Sequence, residues 1–176
     1  MKVVCVIPAR YGSTRLPGKP LADIAGKPMI QRVYERVSKA KRPDAVIVAT
    51  DDRRVYDAVV SFGGQVVMTR NDHPTGTDRL AEVAEGLADV DVIINVQGDE
   101  PLIEPTLIDE LADLFDADDA PHMATVGAPL TEEEYSEPSA VKVVCNKKGD
   151  AMYFSRSLIP YPRHNFVNRP IKHIGI

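Results

Sequence analysis

Short, nearly continuous apolar runs, rich in β-branched residues, recur at residues 3–7, 45–49, 65–68, 92–96 and 123–126. Runs of this length fit strands buried on both faces of a mostly parallel sheet. Between them, apolar residues return at helical spacing. Met29, Ile30, Val33, Val37 and Ala40 share one face, as do Val55, Ala58, Val59 and Phe62. Leu80, Val83, Ala84 and Leu87 form a third face, and Leu107, Ile108, Leu111 and Phe115 a fourth. Strand and helix in alternation predict an α/β fold, doubly wound, with a mostly parallel sheet flanked by helices. The boundaries agree. Asp51 is expected to cap the second helix, Gly63 and Gly64 to end it, and Pro105 to open the fourth.

Past residue 129 the pattern changes. "AVKVVCN" and "GDAMYFSR" read as two strands joined by a turn at residues 148–150. A loop-like stretch follows, with a final apolar pair read as a new strand. A length of 176 residues suits one domain. The chain stops at Ile176 inside what reads as a strand, so a fragment of a longer pattern is expected. A net charge of −5 argues against a general nucleic-acid binder. No run approaches the roughly 18 apolar residues of a membrane span, and the N-terminus lacks a secretory pattern. Cys5 and Cys145 both lie in apolar runs, where buried thiols in a reducing, cytoplasmic setting are expected.

Ligands on such sheets bind beyond the carboxyl ends of the strands. That places residues 8–19, 50–52, 69–79 and 97–101 on one rim. The first of these segments carries Arg10, Arg15 and Lys19 beside the amides of Gly12, Ser13 and Thr14. It matches neither a Walker A loop nor G-x-G-x-x-G. Two guanidinium forks, an ammonium and a nest of N–H groups suit a triphosphate. The bland alternative is a solvated basic loop. In "NVQGDEP", Asp99 after Gly98 suits one-carboxylate Mg²⁺ binding, with phosphates and water completing the shell. An ordinary acidic turn reads equally well. "DHPTGTDR" offers hydroxyls at Thr75 and Thr77 and Arg79 at a helix start, where a phosphate or ribose could dock. His73 reads first as a loop hydrogen-bonder. Neither cysteine has an activating neighbour, and zinc spacing is absent. Attack by a substrate oxygen on a phosphate, with the protein supplying charge and position, is the chemistry left.

Together, "IPARYGSTRLPGKPL", "GKPM", "VATDD", "MTRNDHPTGTDRLAE", "NVQGDEP", "SAVKVV" and "YFSR" resemble the 3-deoxy-manno-octulosonate cytidylyltransferase family, a nucleotide-diphospho-sugar transferase-like fold. The resemblance runs the whole length of the chain. It implies transfer of CMP from CTP to the sugar acid 3-deoxy-manno-octulosonate (Kdo), with release of pyrophosphate, for lipopolysaccharide synthesis. It also implies Mg²⁺ and a homodimer. By matching position, it gives the triphosphate to Arg10, Arg15 and Lys19, with Lys19 stabilising the transition state. It gives the cytidine side to Ala9, Thr75 and Arg79, the metal to Asp99, and the sugar acid to Gln97, Arg156 and His173. The family pattern continues past Ile176 with further sugar and dimer contacts and a second metal-binding aspartate. Two alternatives stay open: a related sugar acid, such as 8-amino-Kdo or a sialic-acid-like one, and a nucleotide-binding chain without turnover.

Overall fold

The computed structural model describes residues 1–12, 16–161, 163 and 170–176. It divides into two compact units, Met1–His122 with Ile176, and Met123–Gly175.

The first unit opens with β1 (Val3–Pro8), followed by a small ladder of β2 (Asp23–Ile24) and β3 (Lys27–Pro28). It continues with α1 (Met29–Val37), β4 (Ala45–Thr50), α2 (Arg53–Ser61), β5 (Gln65–Met68), α3 (Gly76–Glu85), β6 (Val92–Asn95) and α4 (Pro105–Asp113). The sheet order is β5-β4-β1-β6, with every neighbouring pair parallel. α3 packs on the face that carries Val4, Val6 and Ala49, through Leu80 and Val83. On the alternate residues of β1 lies Cys5, which feels the charge of Asp109 in α4. The sheet is therefore flanked by helices, as the alternation predicts.

Val3, Val6, Ile7, Ile30, Val33, Val37, Val48, Val55 and Val59 are wholly buried. Each such side chain contributes about 1.5–3 kcal/mol relative to exposure. β5 is an edge strand, and Val67 and Met68 stay exposed on it. Gly63, at φ +79°, follows the end of α2, and Pro105 stands in the first turn of α4. The cap of α2 is Asp52 rather than the expected Asp51, because the helix starts at Arg53, and Asp51 pairs with Arg79 instead. Cys5 is buried, and that burial, then Asp109, pushes its thiol up to about 12. Cys145 is only half-buried, since β8, where it lies, has a partly open face.

The second unit contains β7 (Val126–Pro129), α5 (Glu132–Ser136), β8 (Lys142–Cys145), β9 (Ala151–Ser155) and β10 (Ile171–Ile174). The expected hairpin is β8–β9, and β10 is the new strand. One expectation fails here. The apolar pattern puts the run at 123–126 in the parallel sheet, but Met123 is 87% exposed and the strand starts only at Val126. β7 pairs antiparallel with β10, in a sheet ordered β7-β10-β8-β9. Gly127 permits that pairing, because a Cβ there would stand 2.6 Å from Ile171. α5 is closed by a capping box between Thr131 and Glu134, and Glu134 also pairs with Lys172.

Lys142 is wholly buried, a rare state for lysine. Its ammonium donates to the carbonyls of Glu137 (2.7 Å), Ala140 (3.0 Å) and Arg156 (3.3 Å). Lys142→Met keeps the aliphatic stem and leaves those acceptors without this donor. Stability to urea is expected to fall by about 2–4 kcal/mol. A loss below about 0.5 kcal/mol would show that the carbonyls find other donors.

Candidate active site

The order of the parallel sheet contains one reversal. The chain runs outward from β1 through β4 to β5, then returns to place β6 on the other side of β1. β1 and β6 therefore lie side by side at the reversal, and their loops meet at the carboxyl ends of the strands, where such sheets hold their crevice. Pro8 is the hub of this crevice. A Cβ on Gly98 would stand 2.8 Å from the Pro8 carbonyl oxygen, so the β6 loop approaches β1 as only glycine can. A Cβ on Gly76, at the start of α3, would stand 3.5 Å from the Pro8 ring. Ala9 carries the β1–β4 pairing one residue further, donating its N–H to Ala49 at 2.8 Å.

Lys19 and Asp99 meet across this crevice at 2.5 Å. They come from the β1 and β6 loops, and their side chains are 35% and 46% exposed. Lys19 begins a single 3₁₀ turn, Lys19–Leu21, entered through Gly18 at φ +73°. Arg10 is exposed at the start of the same loop. Arg15 lies outside the described residues. Gln97 is half-buried in the turn whose backbone closes with Glu100 N–H on the Gln97 carbonyl at 3.2 Å.

The β5–α3 loop is fixed from several sides. Thr75 caps α3, accepting from Asp78 N–H, while the Asp78 carboxylate accepts from Thr75 N–H. Because Asp78 puts a negative charge at that terminus, a hydroxyl- or amine-bearing group suits it better than a phosphate. Arg79 is 2% exposed. Its guanidinium donates to Thr69 Oγ1, to the Arg70 carbonyl (3.3 Å) and to Asp51 (2.8 Å). It thus ties the ends of β4 and β5 to α3. His73 is a loop hydrogen-bonder, as its sequence position suggests, pairing with Glu82. That bond, against a smaller effect of burial and helped by Arg70 N–H, holds Glu82 below the usual carboxylate range. The bond from Arg54 does the same for Asp52.

Arg156 and His173 belong to the second unit. Arg156 donates through Nη1 to the carbonyls of Pro138 (2.8 Å) and Ser139 (3.1 Å). His173 shares a 2.8 Å hydrogen bond with Thr125 Oγ1 and stacks edge-on to Phe154. Burial lowers its pKa, favouring the neutral imidazole. Among the described residues no group of three metal-capable side chains forms. Sequence reasoning missed Asp51, Glu82 and Arg54 as partners. Asp51 and Arg79 lie 28 positions apart, and no local pattern links them.

Comparison with known proteins matches residues 4–176 to the model of the cytidylyltransferase family. The 3-deoxy-manno-octulosonate cytidylyltransferase of Photobacterium profundum is 56% identical, over all of this chain and 74% of its own length. That of Escherichia coli is 55% identical, over 99% of this chain and 71% of its own length. A solved CMP:2-keto-3-deoxy-manno-octonic acid synthetase complexed with CTP superposes with a TM-score of 0.94 at 54% identity. It covers 99% of this chain, which spans 72% of that one. The chain belongs to the cytidylyltransferases, and within them to the 3-deoxy-manno-octulosonate cytidylyltransferase family. It is a nucleotidyltransferase.

The two glycines at Pro8 make a paired test. Gly98→Ala forces its methyl against a backbone oxygen and is expected to cost about 1–3 kcal/mol. Gly76→Ala meets Pro8 at ordinary contact distance and is expected to stay within about 0.5 kcal/mol of the native chain. Urea unfolding of both variants checks this. Equal effects would mean that the Gly98 approach is not what fixes the loop.

Proposed function

We propose that this chain transfers CMP from CTP to Kdo and releases pyrophosphate, the activation step that precedes Kdo use in lipopolysaccharide synthesis. The observation that carries the reading is the Lys19–Asp99 pair at the sheet's reversal. It sets an ammonium for phosphate and a carboxylate for metal side by side. Kinship at 54–56% identity to proteins named for this reaction supports the choice of substrates.

In the step proposed, a Kdo hydroxyl oxygen bonds to the α-phosphorus of CTP and the bond from that phosphorus to the β-phosphate breaks. Pyrophosphate leaves, and the hydroxyl proton passes to solvent. Lys19 offsets the charge that gathers on the phosphates, with Arg10 and Arg15 holding the triphosphate. Ala9, Thr75 and Arg79 serve the cytidine side, Arg79 by holding its loop, since its guanidinium is buried.

Asp99 is the residue that would hold Mg²⁺. The donor chemistry fits, because magnesium is commonly held by one or two carboxylates plus substrate phosphates and water. Asp99, paired with Lys19, keeps its side chain 46% exposed, whereas Asp51 and Asp52, paired with Arg79 and Arg54, are 16% and 20% exposed. When bound, Mg²⁺ supplies Lewis-acid polarisation of the phosphates. In this reading Lys19 gives up Asp99 for the triphosphate.

Gln97, Arg156 and His173 serve the sugar acid. Arg156 offers its guanidinium to the carboxylate, and a neutral His173 offers a hydrogen bond rather than a charge. A homodimer in the cytoplasm completes the reading. No helix among the described residues is long and apolar enough to cross a membrane.

Pyrophosphate release from CTP and Mg²⁺, with a panel of sugar acids, tests the assignment. Release is expected with Kdo above 8-amino-Kdo and sialic acids. A better substrate elsewhere in the panel would move the specificity, and no release with any would leave nucleotide binding alone. Lys19→Ala is expected to lower kcat by on the order of 10²-fold, with a smaller loss of CTP affinity. A raised KM at unchanged kcat would make Lys19 a binding residue only.

A further inference from the structure

The stem of the β1 loop is closed by contacts that the proposed reaction does not use. Tyr11 accepts the N–H of Gly18 on its carbonyl at 2.9 Å, so the backbone returns to within one hydrogen bond of where it left. The Tyr11 ring also lies against Gly18. A Cβ on that glycine would stand 3.1 Å from the ring, and its φ of +73° disfavours a side chain as well. On the Tyr11 ring sits the guanidinium carbon of Arg54, 3.4 Å from the ring centroid. Arg54 is held in turn by both oxygens of Asp52, at 2.9 and 2.6 Å. Asp52 also caps α2, accepting the N–H of Arg54 at 2.9 Å.

An unbroken line of contacts thus runs from the start of α2 through Asp52, Arg54 and Tyr11 to Gly18. Arg10 immediately precedes Tyr11, and Lys19 immediately follows Gly18. Whatever fixes the Tyr11–Gly18 closure fixes the separation of the backbone positions from which these two cations extend. The planar guanidinium matters here, because it stacks on the ring while its edge takes the carboxylate fork, which an ammonium cannot do.

We infer that Arg54, stacked on Tyr11, is a positioning residue that sets the spacing of Arg10 and Lys19 for a nucleoside triphosphate. This rests on the reading of the β1 loop as the triphosphate site. Arg54 does its work through the ring and not by meeting the phosphates itself.

The test is calorimetric titration of the chain with CTP and Mg²⁺, with thermal unfolding recorded for each variant. Arg54 has a side chain 61% exposed, so Arg54→Ala is expected to fold with an unchanged thermal midpoint. It is expected to weaken CTP about 5-fold or more. Tyr11→Leu removes the ring and no charge, and is expected to weaken CTP to the same degree. Tyr11→Phe keeps the ring and is expected to restore affinity. The double variant Tyr11→Leu/Arg54→Ala is expected to lose no more than the larger single loss.

Loss in Arg54→Ala with native affinity in Tyr11→Leu would overturn the inference, since the charge would then act on the phosphates directly. Native affinity in both single variants, or losses matched by lowered midpoints in all variants, would overturn it too. A native chain that binds no CTP would overturn the triphosphate reading and this inference with it. A native chain that binds, with unaffected variants, would overturn this inference alone.

Discussion

The approach of Gly98 to the carbonyl oxygen of Pro8 governs the rest of the site. At the reversal of the sheet, the ends of β1 and β6 lie side by side and their loops must pack against each other. A side chain on residue 98 would push the β6 loop away from β1 by contact with backbone, which cannot give way as a flexible side chain can. With no side chain there, the turn after β6 stays close enough for Asp99 to face Lys19. Gly76 brings α3 to the other flank of the same proline. One residue therefore sets the relative places of three loops.

Charge is distributed over these loops with a clear division. Arg79 is buried and locked to Asp51, so its role is to hold backbone. Lys19 and Asp99 are both partly exposed, and an ion pair in contact with water contributes little to stability. Such a pair can open at small cost when a triphosphate and a cation offer replacements. In a chain with a net charge of −5, this crevice thus offers a local exchangeable cation to an anionic ligand. Asp51 and Asp52, which hold Arg79 and Arg54, follow the end of β4, the strand next to β1.

Much of the parallel sheet was legible in the sequence because its strands are nearly continuous apolar runs and its helices are amphipathic at a fixed period. The run at 65–68 and the start of α4 at Pro105 fall where the pattern puts them. The 123–126 run misled because four apolar or small residues carry no sign of which sheet they join. Pairing with β10, 45 or more positions later, decides that. Site legibility followed the same line. Lys19 and Asp99 could be placed on one rim by the fold rule, yet their contact spans 80 positions and is set by the sheet's order. The partners of Arg79 and the stacking of Arg54 on Tyr11 depend on packing, and no periodicity in the sequence encodes them.

If Lys19 and Asp99 exchange each other for triphosphate and metal, Mg²⁺ and CTP binding must be coupled through Asp99. Measuring CTP affinity with Mg²⁺ raised from none to saturation, in the native chain and in Asp99→Asn, reads that coupling directly. The expected result has two parts. Mg²⁺ tightens CTP in the native chain and loses most of that effect in the variant. Without Mg²⁺ the variant binds CTP at least as well as the native chain, because Lys19 is no longer held. A Mg²⁺ effect of equal size in both proteins would contradict the exchange and remove Asp99 from the metal site.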